Sequence, residues 1–87
     1  MKDESEKELE YKLKSVLRMP AAIQVGKKGI TPSLIQEIAN QLDQKDAVKI
    51  KVLKSLKNPE SILQELATSC NAVIWRQTGR VGILVLK

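Results

Sequence analysis

The sequence predicts an α/β (α+β) domain in which three helices pack on a mixed four-stranded sheet. Three observations carry this. Apolar residues recur at helical spacing in three separate segments, a strand pattern follows each of them, and the last third of the chain reads as two apolar strands joined at a glycine. The expected order is helix, strand, helix, strand, helix, strand, strand. Strand–helix–strand units favour parallel neighbours, and a closing hairpin is antiparallel, so the sheet must be mixed.

Between Glu6 and Met19 the residues Leu9, Leu13, Val16 and Leu17 form the first stripe, with Lys12, Lys14 and Arg18 lying off it. Residues 1–8 are expected to fray, residues 9–87 to form one domain, and Pro20 to end the helix. Ala21 to Val25 is short, apolar and stopped by glycine, which suits a strand. Thr31 then has the side chain of an N-cap, with Pro32 at the first helical position, where a missing N–H costs nothing. Ile30 and Ile35 have the spacing of a hydrophobic staple. Leu34, Ile35, Ile38, Ala39 and Leu42 make the second stripe.

Ala47 to Leu53 alternates, with Val48, Ile50 and Val52 on one face and Lys49 and Lys51 on the other. Asn58-Pro59 repeats the cap-then-proline signal. Ile62, Leu63, Leu66, Ala67 and Cys70 make the third stripe. Ala72 to Gln77 and Val81 to Leu86 are strands joined across Thr78-Gly79. Both are apolar on both faces, which predicts cover on both sides: two helices on one face and at least partial cover on the other.

Composition narrows the function. A chain of 87 residues, 43% hydrophobic and 29% charged, is an ordinary globular composition with one modest core. No run approaches the ~18 apolar residues of a membrane span. The opening MKDESEKELE has no apolar signal-peptide core, so a cytoplasmic location and no membrane partner are expected. A single cysteine excludes an internal disulfide and a cysteine-based metal site, and no histidine is present. Cys70 falls in an apolar stripe and reads as core, whereas a reactive thiol needs an exposed electropositive setting. Glu37 and Glu65 are lone carboxylates on solvent faces. The expectation is a non-enzyme with no cofactor and no metal.

The net charge is +5 and unevenly spread. Five of the ten acids lie within the first ten residues, and none lies between Tyr11 and Gln36 or between Ala47 and Pro59. A basic body of this kind attracts polyanions. In Gly26-Lys27-Lys28-Gly29 two glycines permit positive φ and close approach, two lysines add charge, and the following helix directs its N-terminus back toward the loop. Two readings stand here: a turn with solvated lysines, or a cradle for phosphate. The P-loop pattern is not met, because no GK[ST] closes the loop.

Lys49 and Lys51, continued by Lys54 and Lys57, are either an edge-strand face protected by lysine or an RNA contact. Arg76 and Arg80 flank the hairpin turn and have the length to reach out from its tip. Trp75 is one of two aromatics, and on a strand of a small domain it is expected in the core. With so few aromatics the chain cannot read single-stranded bases on a multi-residue stacking platform, so backbone and shape recognition of structured RNA or duplex is expected.

The leading helix, short strand, GKKGIT motif opening a helix, and VIWRQTGRVGILVL hairpin together resemble the CRM domain (chloroplast RNA splicing and ribosome maturation), whose stand-alone members are called YhbY-like. The resemblance runs from about Leu9 to Lys87. The family's Leu-Val-Leu-Tyr-Arg close is only partly matched, with Leu86-Lys87 in place of Tyr-Arg. The resemblance implies a fold like the C-terminal domain of bacterial translation initiation factor three, and a GxxG loop that touches the sugar-phosphate backbone.

It also implies a role with large-ribosomal-subunit precursors, with ribosomal RNA as partner and contacts to ribosomal proteins. Carried over, Gly26, Lys27, Lys28, Gly29 and Thr31 form the RNA-contacting loop. Lys12, Lys14, Arg18, Lys49, Lys51, Lys54, Lys57, Arg76 and Arg80 supply the surrounding field. Alba-type archaeal chromatin proteins also resemble the VGKK turn, but they lack the leading helix and carry a long basic hairpin arm. A protein–protein adaptor in ribosome assembly is the remaining alternative.

Overall fold

The computed structural model describes residue 11 and residues 13–86. The expected fraying of residues 1–8, the place of Leu9 in the first stripe, and Lys12 and Lys87 lie outside the described residues. The chain forms α1 (residue 11 and residues 13–18 among the described residues), β1 (Ile23–Val25), α2 (Pro32–Lys45), β2 (Ala47–Val52), α3 (Pro59–Ser69), β3 (Ala72–Thr78) and β4 (Val81–Leu86). The order read from sequence is the order observed. The sheet runs β1-β2-β4-β3, with β1 parallel to β2 and β4 antiparallel to both its neighbours. The last strand is therefore inserted between β2 and β3, and only the first strand–helix–strand unit joins adjacent parallel strands.

Local chemistry accounts for the helix ends. Thr31 is extended, and its hydroxyl oxygen accepts the Leu34 amide at 3.1 Å, with Pro32 beginning α2. Ile30 and Ile35, on either side of the cap, are both partly buried against the main core. At the other end Asp46 takes the left-handed conformation and its amide returns to the Leu42 carbonyl at 2.9 Å. Asn58 corrects the second cap expectation. It precedes α3 but makes no side-chain cap bond. Its backbone is left-handed (φ 56), a region that asparagine tolerates better than most residues, so the residue serves a sharp entry rather than a cap.

Two cores lie on opposite faces of the sheet. On one face α2 and α3 bury Ile38, Leu42, Leu63, Leu66 and Ala67 against Ile23, Val25, Val48, Ile50, Val52, Ala72 and Leu84. The approach of α3 is close. A Cβ on Gly82 would stand 2.8 Å from Leu63 Cδ1, so glycine here admits the leucine to the sheet. On the other face α1 places Leu13, with Val16 and Leu17, over Ala47, Ile83 and Val85.

Cover on both sides therefore holds for β4, whose residues 82–85 are all buried, but not for β3. β3 lies at the sheet edge, and the described residues of α1 pack over β2 and β4 instead. A bulge between Ile74 and Arg76 further breaks its alternation.

Lys49 ties α1 to the sheet. Its ammonium donates to the Leu17 carbonyl at 2.9 Å and the Met19 carbonyl at 2.8 Å, where the helix ends with unpaired carbonyls and negative dipole charge. The lysines of β2 do not guard a sheet edge, because β2 lies between β1 and β4. Charge-assisted bonds of this kind contribute about 1.5–3 kcal/mol when well formed, and less when partly solvated. Lys49→Met is expected to lower unfolding free energy by about 1–2 kcal/mol in urea titration. Lys51→Met, on the same strand face but exposed, should change it by less than about 0.5 kcal/mol.

Candidate nucleic-acid interface

The glycine loop is a tight turn. The Gly29 amide donates to the Gly26 carbonyl at 2.8 Å, leaving Lys27 and Lys28 exposed at the tip. The two glycines have different reasons. Gly29 sits at φ +67, where a side chain is strained. Gly26 has no positive φ, and a Cβ there would meet only Leu53 Cδ1 at 3.7 Å, an ordinary contact. The fold needs glycine at the second position and not at the first.

The loop borders a shallow cavity of about 330 Å³ whose lining includes Lys27, Lys28, Thr31, Ser33 and Glu37. The α2 N-terminus offers this cavity little. Pro32 has no N–H and Leu34 is capped by Thr31, which leaves Ser33 as the uncommitted amide of the first turn. Glu37 adds negative charge one turn further in. The positive charge at this rim therefore comes from the Lys27 and Lys28 ammoniums and not from the helix end.

Strand pairing gathers further cations here. Since β1 and β2 are parallel, both end on the same side of the sheet, and the Leu53 amide donates to the Val25 carbonyl at 3.1 Å. The loop after β2 carries exposed Lys54 and Lys57 beside the glycine turn. The β3–β4 turn reaches the same end, because Lys51 pairs with Val81 and the Val52 amide donates to the Arg80 carbonyl at 2.8 Å. Lys27, Lys28, Lys54 and Lys57 thus rim one end of the sheet.

Arg80 is present there in a different role. Its guanidinium donates to the Leu53 carbonyl at 2.9 Å and the Leu56 carbonyl at 2.6 Å, folding back onto the β2–α3 loop rather than reaching out. It holds the segment that bears Lys54 and Lys57.

The other basic residues named from sequence lie elsewhere. Lys14 and Arg18 are exposed on α1, and Lys49, Lys51 and Arg76 occupy the α1 face of the sheet. Lys12 falls outside the described residues. The described acids (Glu37, Asp43, Asp46, Glu60 and Glu65) all belong to α2, α3 or the α2 C-cap. Glu60 and Glu65 line a groove with Gln77 on the opposite face of the sheet from α1.

Trp75 departs from the core expectation. It is 38% exposed, on the edge strand, at the bulge. The sequence carries a signal for this: Arg76, Gln77 and Thr78 follow it in succession and break the alternation a core strand would keep. Cys70 is half-buried at the end of α3, with its thiol 3.7 Å from the Ile35 carbonyl. Burial pushes the thiol pKa up, opposite to the direction a nucleophile needs. Among the described residues no three His, Cys, Asp or Glu side chains group to hold a metal, and no helix is long and apolar enough to cross a membrane.

Comparison with known proteins places this geometry in a family. No curated protein matches the sequence. Among solved structures, the solution structure of the hypothetical protein SAV1595 from Staphylococcus aureus, proposed to be RNA-binding, superposes with a TM-score of 0.72. It is 18% identical, and the match covers 93% of this chain and 85% of that one. At that identity the likeness concerns the fold. The Alba-type alternative finds no support, since β3 and β4 are joined by two residues and no arm extends from them. The CRS1/YhbY (CRM) domain model matches residues 5–85, nearly the whole chain, and the chain belongs to that family.

Proposed function

We propose that this domain is an RNA-binding protein that grips the phosphate backbone of structured RNA with the loop end of its sheet. The observation that carries the reading is the convergence of Lys27, Lys28, Lys54 and Lys57 at one end, around a glycine that the fold itself does not require. Gly26 leaves open backbone where a sugar-phosphate chain can approach, and the lysines neutralise its charge without a fixed geometry. The site is a rim rather than an enclosed pocket. That suits a polymer lying across the end of the sheet better than a mononucleotide, and it offers no group to perform chemistry on it.

Family membership supports RNA as the polyanion and a passive, non-enzymatic role. The proposal extends to assembly of the large ribosomal subunit in the cytoplasm, with ribosomal RNA or its precursor as target and ribosomal proteins as neighbours. The GKKG turn holds the backbone. Arg80 acts at one remove, by positioning the β2–α3 loop.

Two predictions separate folding from binding. Gly29→Ala is expected to lose about 1–2 kcal/mol of stability from its positive φ. Gly26→Ala should leave the melting temperature unchanged or slightly raised while weakening RNA binding. A Gly26→Ala protein that binds with wild-type affinity would remove the close-approach argument.

In the double variant Lys27→Glu/Lys28→Glu, affinity for a structured RNA should fall about tenfold or more. The salt slope should become shallower by about 0.7–0.9 for each phosphate no longer neutralised, at an unchanged melting temperature. Unchanged affinity across the salt series would refute the loop as the grip and favour the adaptor reading.

A further inference from the structure

The described residues of α1 cover only half of their face of the sheet, and the remaining half has a definite chemistry. Its register forms rows across the strands. Ala47, Val85 and Val73 make one row, Lys49, Ile83 and Arg76 the next, and Lys51, Val81 and Thr78 the last before the hairpin turn. Helix α1 covers the first row with Leu13 and reaches the second with Leu17. Beyond it lies a cavity of about 270 Å³ with Val81 and Ile83 as its apolar floor, walled by Leu17, Lys49, Arg76 and Thr78. That volume is just below the ~300 Å³ at which pockets for drug-sized ligands begin, so it admits one small planar group rather than a cofactor.

The bulge sets the edge of this pocket. Ile74 faces α3 and pairs with Leu84, while Arg76 pairs with Ile83 on the α1 face. Trp75, the extra residue between them, therefore stands beside Arg76 on the α1 face. An exposed tryptophan next to an arginine is a stacking surface for a π system, and Lys51 lies one row away. Among the described residues, no acid belongs to α1 or to any strand of the sheet. Among the described residues the patch is thus aromatic and cationic. It is complementary to a base that carries a phosphate and poorly suited to a basic or wholly apolar peptide.

We infer that this surface takes an unpaired nucleotide of the bound RNA, with Trp75 stacking its base and Arg76 and Lys51 meeting the adjoining phosphates. The inference rests on the proposal that the domain binds RNA, and it goes beyond the phosphate grip by specifying the kind of RNA. The target is a helix with at least one unpaired nucleotide beside it. The open rows lie toward the same end of the sheet as the GKKG turn, so one RNA meets both surfaces: the duplex backbone at the loop end and the unpaired nucleotide around the corner. One aromatic suffices for one nucleotide, consistent with the scarcity of aromatics in the chain.

Trp75 is the sole tryptophan, so its emission reports on this site alone. The test uses two RNA hairpins with the same stem, one blunt and one bearing a short unpaired tail, titrated into wild type, Trp75→Ala, Trp75→Phe, Arg76→Gln and Lys27→Glu/Lys28→Glu. The tailed hairpin should quench Trp75 emission and the blunt one should not. Trp75→Ala should weaken binding of the tailed hairpin by about 5- to 100-fold and leave the blunt hairpin unaffected, with Trp75→Phe recovering most of the affinity. Arg76→Gln should weaken the tailed hairpin selectively and by less.

Exposure of Trp75 on an edge strand makes these variants compatible with folding, which a thermal melt of each checks. Equal affinity of Trp75→Ala and wild type for the tailed hairpin, or absence of quenching, overturns the inference. The two proposals fail separately. Loss of both hairpins in the loop double variant, with Trp75→Ala silent, leaves the loop reading standing and removes this one. The opposite pattern does the reverse, and failure of wild type to bind either hairpin removes both.

Discussion

The rest of the structure depends on the burial of β4 on both faces. Residues 82–85 are shut away from water, so the strand needs hydrogen-bonding neighbours on both edges and helices above and below. β2 and β3 supply the edges, α2 and α3 cover one face, and α1 covers the other. Gly82 is the point where this is tightest, since its missing side chain lets Leu63 sit directly on the strand. Insertion of β4 between β2 and β3 also pushes β3 to the sheet edge, while the described residues of α1 pack over β2 and β4. The exposure of Trp75 follows from that placement rather than from any weakness of the core.

The same topology sorts the charge. Parallel pairing of β1 and β2 sends two lysine-bearing loops to one end of the sheet, and the β4 register sends the hairpin turn to join them. The described acids stay on α2, α3 and the α2 cap. Among the described residues two cationic surfaces, the loop end and the α1 face, therefore join at a corner. Within a Debye length of about 8–10 Å even cations committed to internal bonds add to the field, so Lys49 and Arg80 retain an electrostatic contribution while serving the fold. What they give up is reach. Both donate to backbone carbonyls of neighbouring segments and fix the positions of residues that face outward.

The two glycines of the loop differ in what the fold asks of them. Gly29 is explained by its own backbone, because a positive φ closes the turn. Gly26 is not explained by anything it touches. The Thr31 cap and Pro32 together use most of what the helix N-terminus has to give an anion, and Glu37 works against the remainder. What the turn presents to solvent is consequently its two lysines and its backbone, with little added by the helix end.

Much of this is legible in the chain. Element order, the Thr31 cap and the three apolar stripes follow from 3.6- and 2-residue periodicity and from turn chemistry, all encoded within a few neighbouring residues. The GKKG turn, as a candidate contact, is equally local. Asn58 misleads because asparagine serves caps and left-handed turns alike, and only the backbone angle distinguishes them. The convergence of Lys54 and Lys57 with Lys27 and Lys28, the diversion of Lys49 and Arg80 to backbone carbonyls, and the exposure of Trp75 are decided by tertiary structure. Each depends on which strands pair and in what register, a choice made by long-range burial among residues far apart in sequence. Periodicity reports which face of an element is apolar, but it does not report which neighbour, or how much of a neighbour, will cover that face.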